Sequence, residues 1–75
     1  MQIKNSLSQK IAKEFKRQRL KAGFSQEKMA LKCDIDRKYL YIIEKGKSNI
    51  SCEMLQRLCS GLEVSMEEFF RIIKL

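Results

Sequence analysis

Residues 25–46 read SQEKMALKCDIDRKYLYIIEKG, and the pattern of this stretch decides the fold. It predicts two short helices joined by a tight turn at Cys33, Asp34 and Ile35, the first opened by Ser25 and the second opened by Asp36 and closed by Gly46. Ser25 and Asp36 are good N-cap residues, because a short oxygen-bearing side chain accepts from backbone N–H groups that have no partner within the helix. Glu27 complements the positive end of the first helix. Asp34 suits a left-handed backbone better than most side chains do. Met29, Ala30 and Cys33 mark the buried side of the first helix, and Ala30 is small enough to let two helices cross closely.

The second helix carries an unusual outer face. Successive side chains advance by about 100°, which puts Tyr39, Leu40 and Ile43 on one side as core residues. Arg37, Lys38, Tyr41, Ile42 and Lys45 fall opposite, where a helix without a partner carries short polar residues and balanced charge. Three cations, a phenol and an isoleucine with no carboxylate suit an anionic partner such as nucleic acid. A solvated basic face with one exposed hydrophobe explains the same residues in isolation.

Upstream, a first long helix runs to about Ala22, with Leu7, Ile11 and Phe15 spaced four apart as its core stripe and Gly23 as its stop. Met1 to Ser8 reads as a lead-in, with Ser6 or Ser8 as N-cap, Gln9 completing a capping box with Ser6, and Ile3 and Leu7 packing back on the body. Lys10, Lys13, Lys16, Arg17, Arg19 and Lys21 surround the stripe. A basic amphipathic helix also suits an anionic membrane surface, although this apolar face is modest and the chain has no tryptophan.

Downstream of Gly46, the polar loop Lys47, Ser48, Asn49 can reach a phosphate. Ser51 opens a fourth helix with Glu53 in its first turn and Met54, Leu55, Leu58, Cys59 and Leu62 as apolar positions. Ser65 and Glu68 read as a capping box that starts a fifth helix, ending in Phe69, Phe70, Ile72, Ile73 and Leu75. These apolar residues cover more than one helix face, which predicts self-association through about residues 51–75.

The whole chain has 75 residues, enough for one domain that buries only about 60% of its unfolded surface. Its 44% hydrophobic and 33% charged residues mark a globular protein. With no proline, three glycines and no alternating β-branched runs, it is predicted to be all-α. The net charge of +7 is unevenly spread. Residues 1–22 carry seven basic side chains against one acidic, and residues 51–75 carry three against four, which suggests one surface for an anion and another for protein. No apolar run is long enough to span a bilayer and the first ten residues lack a signal-peptide core, so a cytoplasmic location and no membrane partner are expected. Cys33, Cys52 and Cys59 form no Cys-x-x-Cys pair and there is no histidine, so they are read as packing residues, Cys52 and Cys59 as small buried ones, and no metal or cofactor is expected. No phosphate-binding glycine loop and no nucleophile with an evident base are present, which argues against an enzyme.

Taken together, these residues give a family resemblance. Arg19, GFSQ at 23–26, Met29, Ala30, Ile35, Tyr39, Ile43, Glu44, Gly46, Asn49, Leu55, Leu58 and LEVS at 62–65 hold the spacings of small five-helix helix-turn-helix regulators. The chain resembles those of the phage-repressor and Cro type over about residues 11–70. Within them, DRKYLYIIEKG at 36–46 and GLEVSMEEFF at 61–70 are most similar to controller proteins of restriction-modification systems. Phage-type repressors and antitoxins of toxin-antitoxin pairs share much of the pattern. Gln18 departs from it where an apolar residue is usual, which leaves Leu20 to pack differently. Asp34 replaces a small or amide turn residue. Ile50 replaces a frequent proline, which predicts a less rigid loop.

The resemblance implies a compact five-helix bundle that binds a double-stranded DNA operator as a homodimer, with a tetramer on DNA and a contact to RNA polymerase as further possibilities and no small-molecule ligand. It places Arg37, Lys38, Tyr41 and Ile42 at base edges. It puts Arg19, Ser25, Gln26, Lys45, Lys47, Ser48 and Asn49 at the phosphate backbone, and pairs Arg19 with Glu44. Met54, Leu58, Leu62, Val64, Met66, Phe69, Phe70 and Ile73 are the expected dimer contacts. Two readings from other classes compete: a membrane-surface or calmodulin-target segment using Lys10 to Lys21, and a protein-interaction adaptor using the apolar last third.

Overall fold

The structure, a computed structural model, describes residues 5–74. It consists of α1 (Asn5–Ala22), α2 (Gln26–Cys33), α3 (Arg37–Glu44), α4 (Cys52–Leu62) and α5 (Met66–Ile73), with no strand among the described residues. Four serine and aspartate caps start the short helices: Ser25 Oγ accepts from Lys28 N, Asp36 Oδ1 from Lys38 N, Ser51 Oγ from Met54 N and Ser65 Oγ from Glu68 N. Asp34 ends α2 in the left-handed region at φ 56°, as its place in the turn predicts. Gly23 and Gly46 follow α1 and α3 at φ 82° and 73°. Glu63 takes the same left-handed role after α4, at φ 61°, a position where glycine is the easier residue.

The core gathers Ile11 and Phe15 from α1, Met29, Ala30 and Cys33 from α2, Leu40 and Ile43 from α3, Leu55, Leu58 and Cys59 from α4, and Phe69 from α5. Burial pushes the Cys33 and Cys59 thiols up to about 11, so both stay protonated and serve as small apolar groups. Cys52 differs from its expectation. It is the first residue of α4 and lies exposed.

Three further expectations change. From Asn5, the first described residue, the lead-in is already part of α1 and Ser8 is fully buried on its inner face, so Ser6 and Ser8 lie within the helix and do not cap it. The four-residue spacing of Leu7, Ile11 and Phe15 requires one continuous helix, and Leu7 packs against the core. Ile3 and Leu75 lie outside the described residues. Ile50 is fully buried, so the loop before α4 is tied down by packing where a proline would restrict the backbone. Leu20 does not compensate for Gln18: it is exposed, and Gln18 Nε2 donates to Glu14 Oε2 at 2.8 Å instead.

α2 and α4 cross at Gly61, a residue that the apolar pattern alone does not single out. A Cβ added there would overlap Cys33 Sγ and lie 3.2 Å from both Cys33 N and Cys33 Cα. Gly61→Ala therefore overpacks the crossing and is expected to cost about 1–3 kcal/mol, lowering the melting temperature by roughly 5–20 °C for a domain of this size. Adding Cys33→Ala should restore only part of the loss, because the backbone contacts remain. A Gly61→Ala protein that melts with the parent would show that the helices can separate freely.

Candidate nucleic-acid interface

The α2–turn–α3 unit is held by contacts from all sides. Arg57 Nη1 on α4 donates to the Asp34 carbonyl in the turn at 2.9 Å. Lys32 Nζ lies 3.2 Å from Glu63 Oε2 and 4.9 Å from the centre of the Phe24 ring. Ile35 N donates to the Ala30 carbonyl at 3.0 Å, closing the turn. With Leu40 and Ile43 fully buried, α3 can present only one face outward. That face holds Arg37, Lys38, Tyr41, Ile42 and Lys45, all exposed, as the periodicity predicts.

A buried ion pair fixes the angle of α3. Arg19 Nε donates to Glu44 Oε2 at 2.7 Å and Arg19 Nη2 to Glu44 Oε1 at 3.0 Å, a bidentate geometry, while Nη1 donates to the Phe24 carbonyl at 2.8 Å. The two side chains are only 7% and 3% exposed. Gln26 Nε2 completes the group by donating to Glu44 Oε1 at 3.0 Å. One carboxylate at the end of α3 thus gathers α1 and the start of α2, and Arg19 adds the loop at Phe24. Charged groups removed from water need such full pairing.

Two side chains expected at the phosphate backbone turn inward in the structure. Arg19 pairs with Glu44 as the resemblance implies, and its guanidinium is enclosed and bonded inward, which positions α3. Ser48 also turns inward: its Oγ is buried and has no hydrogen-bond partner among the described residues. Ser25, Gln26, Lys45, Lys47 and Asn49 remain at or near the surface. The Ser25 oxygen is used as a cap while its hydroxyl proton stays available to donate. Lys45 Nζ lies 4.7 Å from the centre of the Tyr41 ring, a cation–π contact that carries positive charge along the outer face of α3.

Gln26, Asp36, Arg37, Lys38 and Tyr41 line an open cleft of about 480 Å³. Here the N-terminal ends of α2 and α3 converge, and both bring free N–H groups and positive dipole ends toward the same space. Arg37 Nη1 lies 3.5 Å from Glu27 Oε2 across this mouth. The arrangement suits a phosphate-bearing groove reader: cations for the backbone, an arginine for a purine edge, and an aromatic ring and isoleucine for apolar base surface.

The expected dimer contacts divide into two sets. Leu58 and Phe69 are fully buried within the one subunit, which corrects their assignment: they close the core and have no surface left for a second copy. Met54, Leu62, Val64, Met66, Phe70 and Ile73 pack against the core while partly exposed. Ile72, one of the apolar residues of α5 that predict self-association, is 41% exposed. No helix among the described residues is long and apolar enough to cross a membrane.

Comparison with known proteins agrees with this geometry. A helix-turn-helix family pattern matches residues 15–69. Control protein C.MunI of a Mycoplasma species is 39% identical over 54 residues, which are 72% of this chain and 73% of that protein. Control protein C.BamHI of Bacillus amyloliquefaciens is 35% identical over 48 residues, 64% of this chain and 59% of that protein. The wild-type restriction-modification controller protein C.Esp1396I superposes with a TM-score of 0.83 at 36% identity, covering 89% of this chain and 86% of the other. The C.Esp1396I tetramer in complex with its natural 35 base-pair operator gives a TM-score of 0.85 at 36% identity, over 89% and 88% of the two chains. The chain belongs to the helix-turn-helix family and, within it, to the controller proteins of restriction-modification systems.

Proposed function

We propose that this protein is a transcriptional regulator that reads a two-fold double-stranded DNA operator as a homodimer, in the manner of a restriction-modification controller, and acts in the cytoplasm. The observation that carries the reading is the outward face of α3, with Arg37, Lys38, Tyr41, Ile42 and Lys45 exposed on a helix whose angle a buried bidentate ion pair sets. In this reading α3 enters the major groove, and Arg37 near its N-terminus bonds guanine O6 and N7. Lys38, Tyr41 and Ile42 meet the next base edges. Ser25, Gln26, Lys45, Lys47 and Asn49 hold phosphates and set the register.

The partly exposed residues Met54, Leu62, Val64, Met66, Phe70 and Ile73, joined by Ile72, form the dimer contact. A two-fold pair places the recognition helices about 34 Å apart, one turn of DNA. Two dimers side by side on a longer operator, and a contact with RNA polymerase, extend the same reading; the solved tetramer of C.Esp1396I on its operator supports the first of these.

Selection of bound duplexes from a random pool tests the proposal, and a recovered palindrome with half-sites one turn apart is the expected result. With about six phosphate contacts, log affinity should fall against log salt with a slope of about −5. Enrichment without two-fold symmetry would reject the dimer, and retention insensitive to salt would reject the groove-reading surface.

A further inference from the structure

We propose that Glu27 is a specificity-determining residue, which engages the base-reading arginine in the free protein and penalises DNA that offers that arginine no guanine. The inference rests on the DNA-reading function proposed above. Glu27 sits in the first turn of α2 and its carboxylate lies 3.5 Å from Arg37 Nη1 on α3, with both side chains largely exposed (74% and 66%). The other carboxylate at this mouth, Asp36, caps α3 through Lys38 N. Glu27 is therefore the acid placed to hold Arg37 in a protein that has not met DNA.

The location of the pair gives it a functional consequence. Lys28, Lys45 and Lys47, all exposed, favour any polyanion equally, which raises affinity without selectivity. A carboxylate beside the positive ends of α2 and α3 does the reverse, since phosphates approaching the mouth meet a like charge and draw Arg37 from its partner. On random sequence nothing offsets that loss. On the operator, Nε and Nη2 of Arg37 bond one guanine in parallel while Nη1 keeps its place beside Glu27, so the pair is given up only on random sequence. An exposed pair of this length is weak enough to exchange, so it lowers non-specific binding more than specific binding. A repulsive element aimed at the wrong partner is a general route to selectivity.

The test compares full-length wild type and Glu27→Gln for the selected operator duplex and for a scrambled duplex of the same length and composition, with melting curves of each protein. Glu27→Gln is expected to bind the scrambled duplex about threefold to fivefold more tightly, a size consistent with an exposed ion pair. Operator affinity and melting temperature should change less, so the selectivity ratio falls. In an Arg37→Ala background the same substitution should lose most of its effect on the scrambled duplex. An unchanged ratio overturns the proposal. So does an effect that persists undiminished without Arg37, because Glu27 would then act only as a fixed charge against phosphates. A variant that loses operator affinity and changes preference at one base pair would make Glu27 a base reader, which also overturns it. A wild type that does not distinguish the two duplexes removes the DNA-reading function itself, and the inference with it.

Discussion

Arg19→Ala is expected to lower folding stability by about 3–5 kcal/mol, the usual consequence of leaving one member of a buried ion pair without its partner. A 75-residue chain has only about 4–11 kcal/mol in total, so the variant should be partly unfolded at physiological temperature. The loss exceeds that of an ordinary arginine truncation because Glu44 is 3% exposed and would keep a single donor, the amide of Gln26. The carbonyl of Phe24 would also lose its donor from Arg19. Arg19→Lys should rescue little, since an ammonium cannot reproduce the two parallel bonds to the carboxylate. Replacing both partners with apolar residues, Arg19→Met with Glu44→Leu, should recover much of the stability, because no buried charge is then left unpaired. DNA binding should not recover with it: Gln26 has lost its anchor and the end of α3 its tie to α1. Denaturation and operator titration of the three variants measure the two effects separately. A double variant that regains both would reduce the pair to packing, and an Arg19→Ala protein with parental melting would contradict the burial of Glu44.

How much of this was legible in the residues depends on the range of the interaction. Caps at Ser25, Asp36, Ser51 and Ser65 are contacts with a backbone two or three residues away, so composition and spacing reveal them. The outer face of α3 follows from helical periodicity alone, and the left-handed turn at Asp34 from local sterics. The misses lie where distant segments meet. Gly61 matters only because α2 crosses α4 there, and Arg57 only because its guanidinium reaches the Asp34 carbonyl. Ile50 reads as a loop residue until the core is assembled around it. Arg19 and Ser48 belong to types that often bind phosphate, and only tertiary packing turns them inward. The apolar pattern likewise marks a residue as covered without saying which chain covers it, and this is why Leu58 and Phe69 entered the expected dimer contact.

Adjacent phenylalanines on α5 should for that reason respond differently to truncation. Phe69 is fully buried within one subunit, and Phe69→Ala is expected to cost about 3–5 kcal/mol through lost transfer free energy and the cavity left behind. Its melting temperature should fall at every protein concentration. Phe70 packs against the core but stays partly exposed, so Phe70→Ala should affect the subunit fold less and the association of two subunits more. Folding coupled to dimerisation makes melting temperature rise with concentration. Wild type and Phe69→Ala should show that rise, and Phe70→Ala should flatten it. Operator affinity should drop with Phe70→Ala even at concentrations where the subunit is folded, because two recognition helices joined in one particle gain from the second being held near its half-site. Two variants that lose stability equally, with the concentration dependence intact in both, would place Phe70 in the core alone and move the dimer contact elsewhere on α4 and α5.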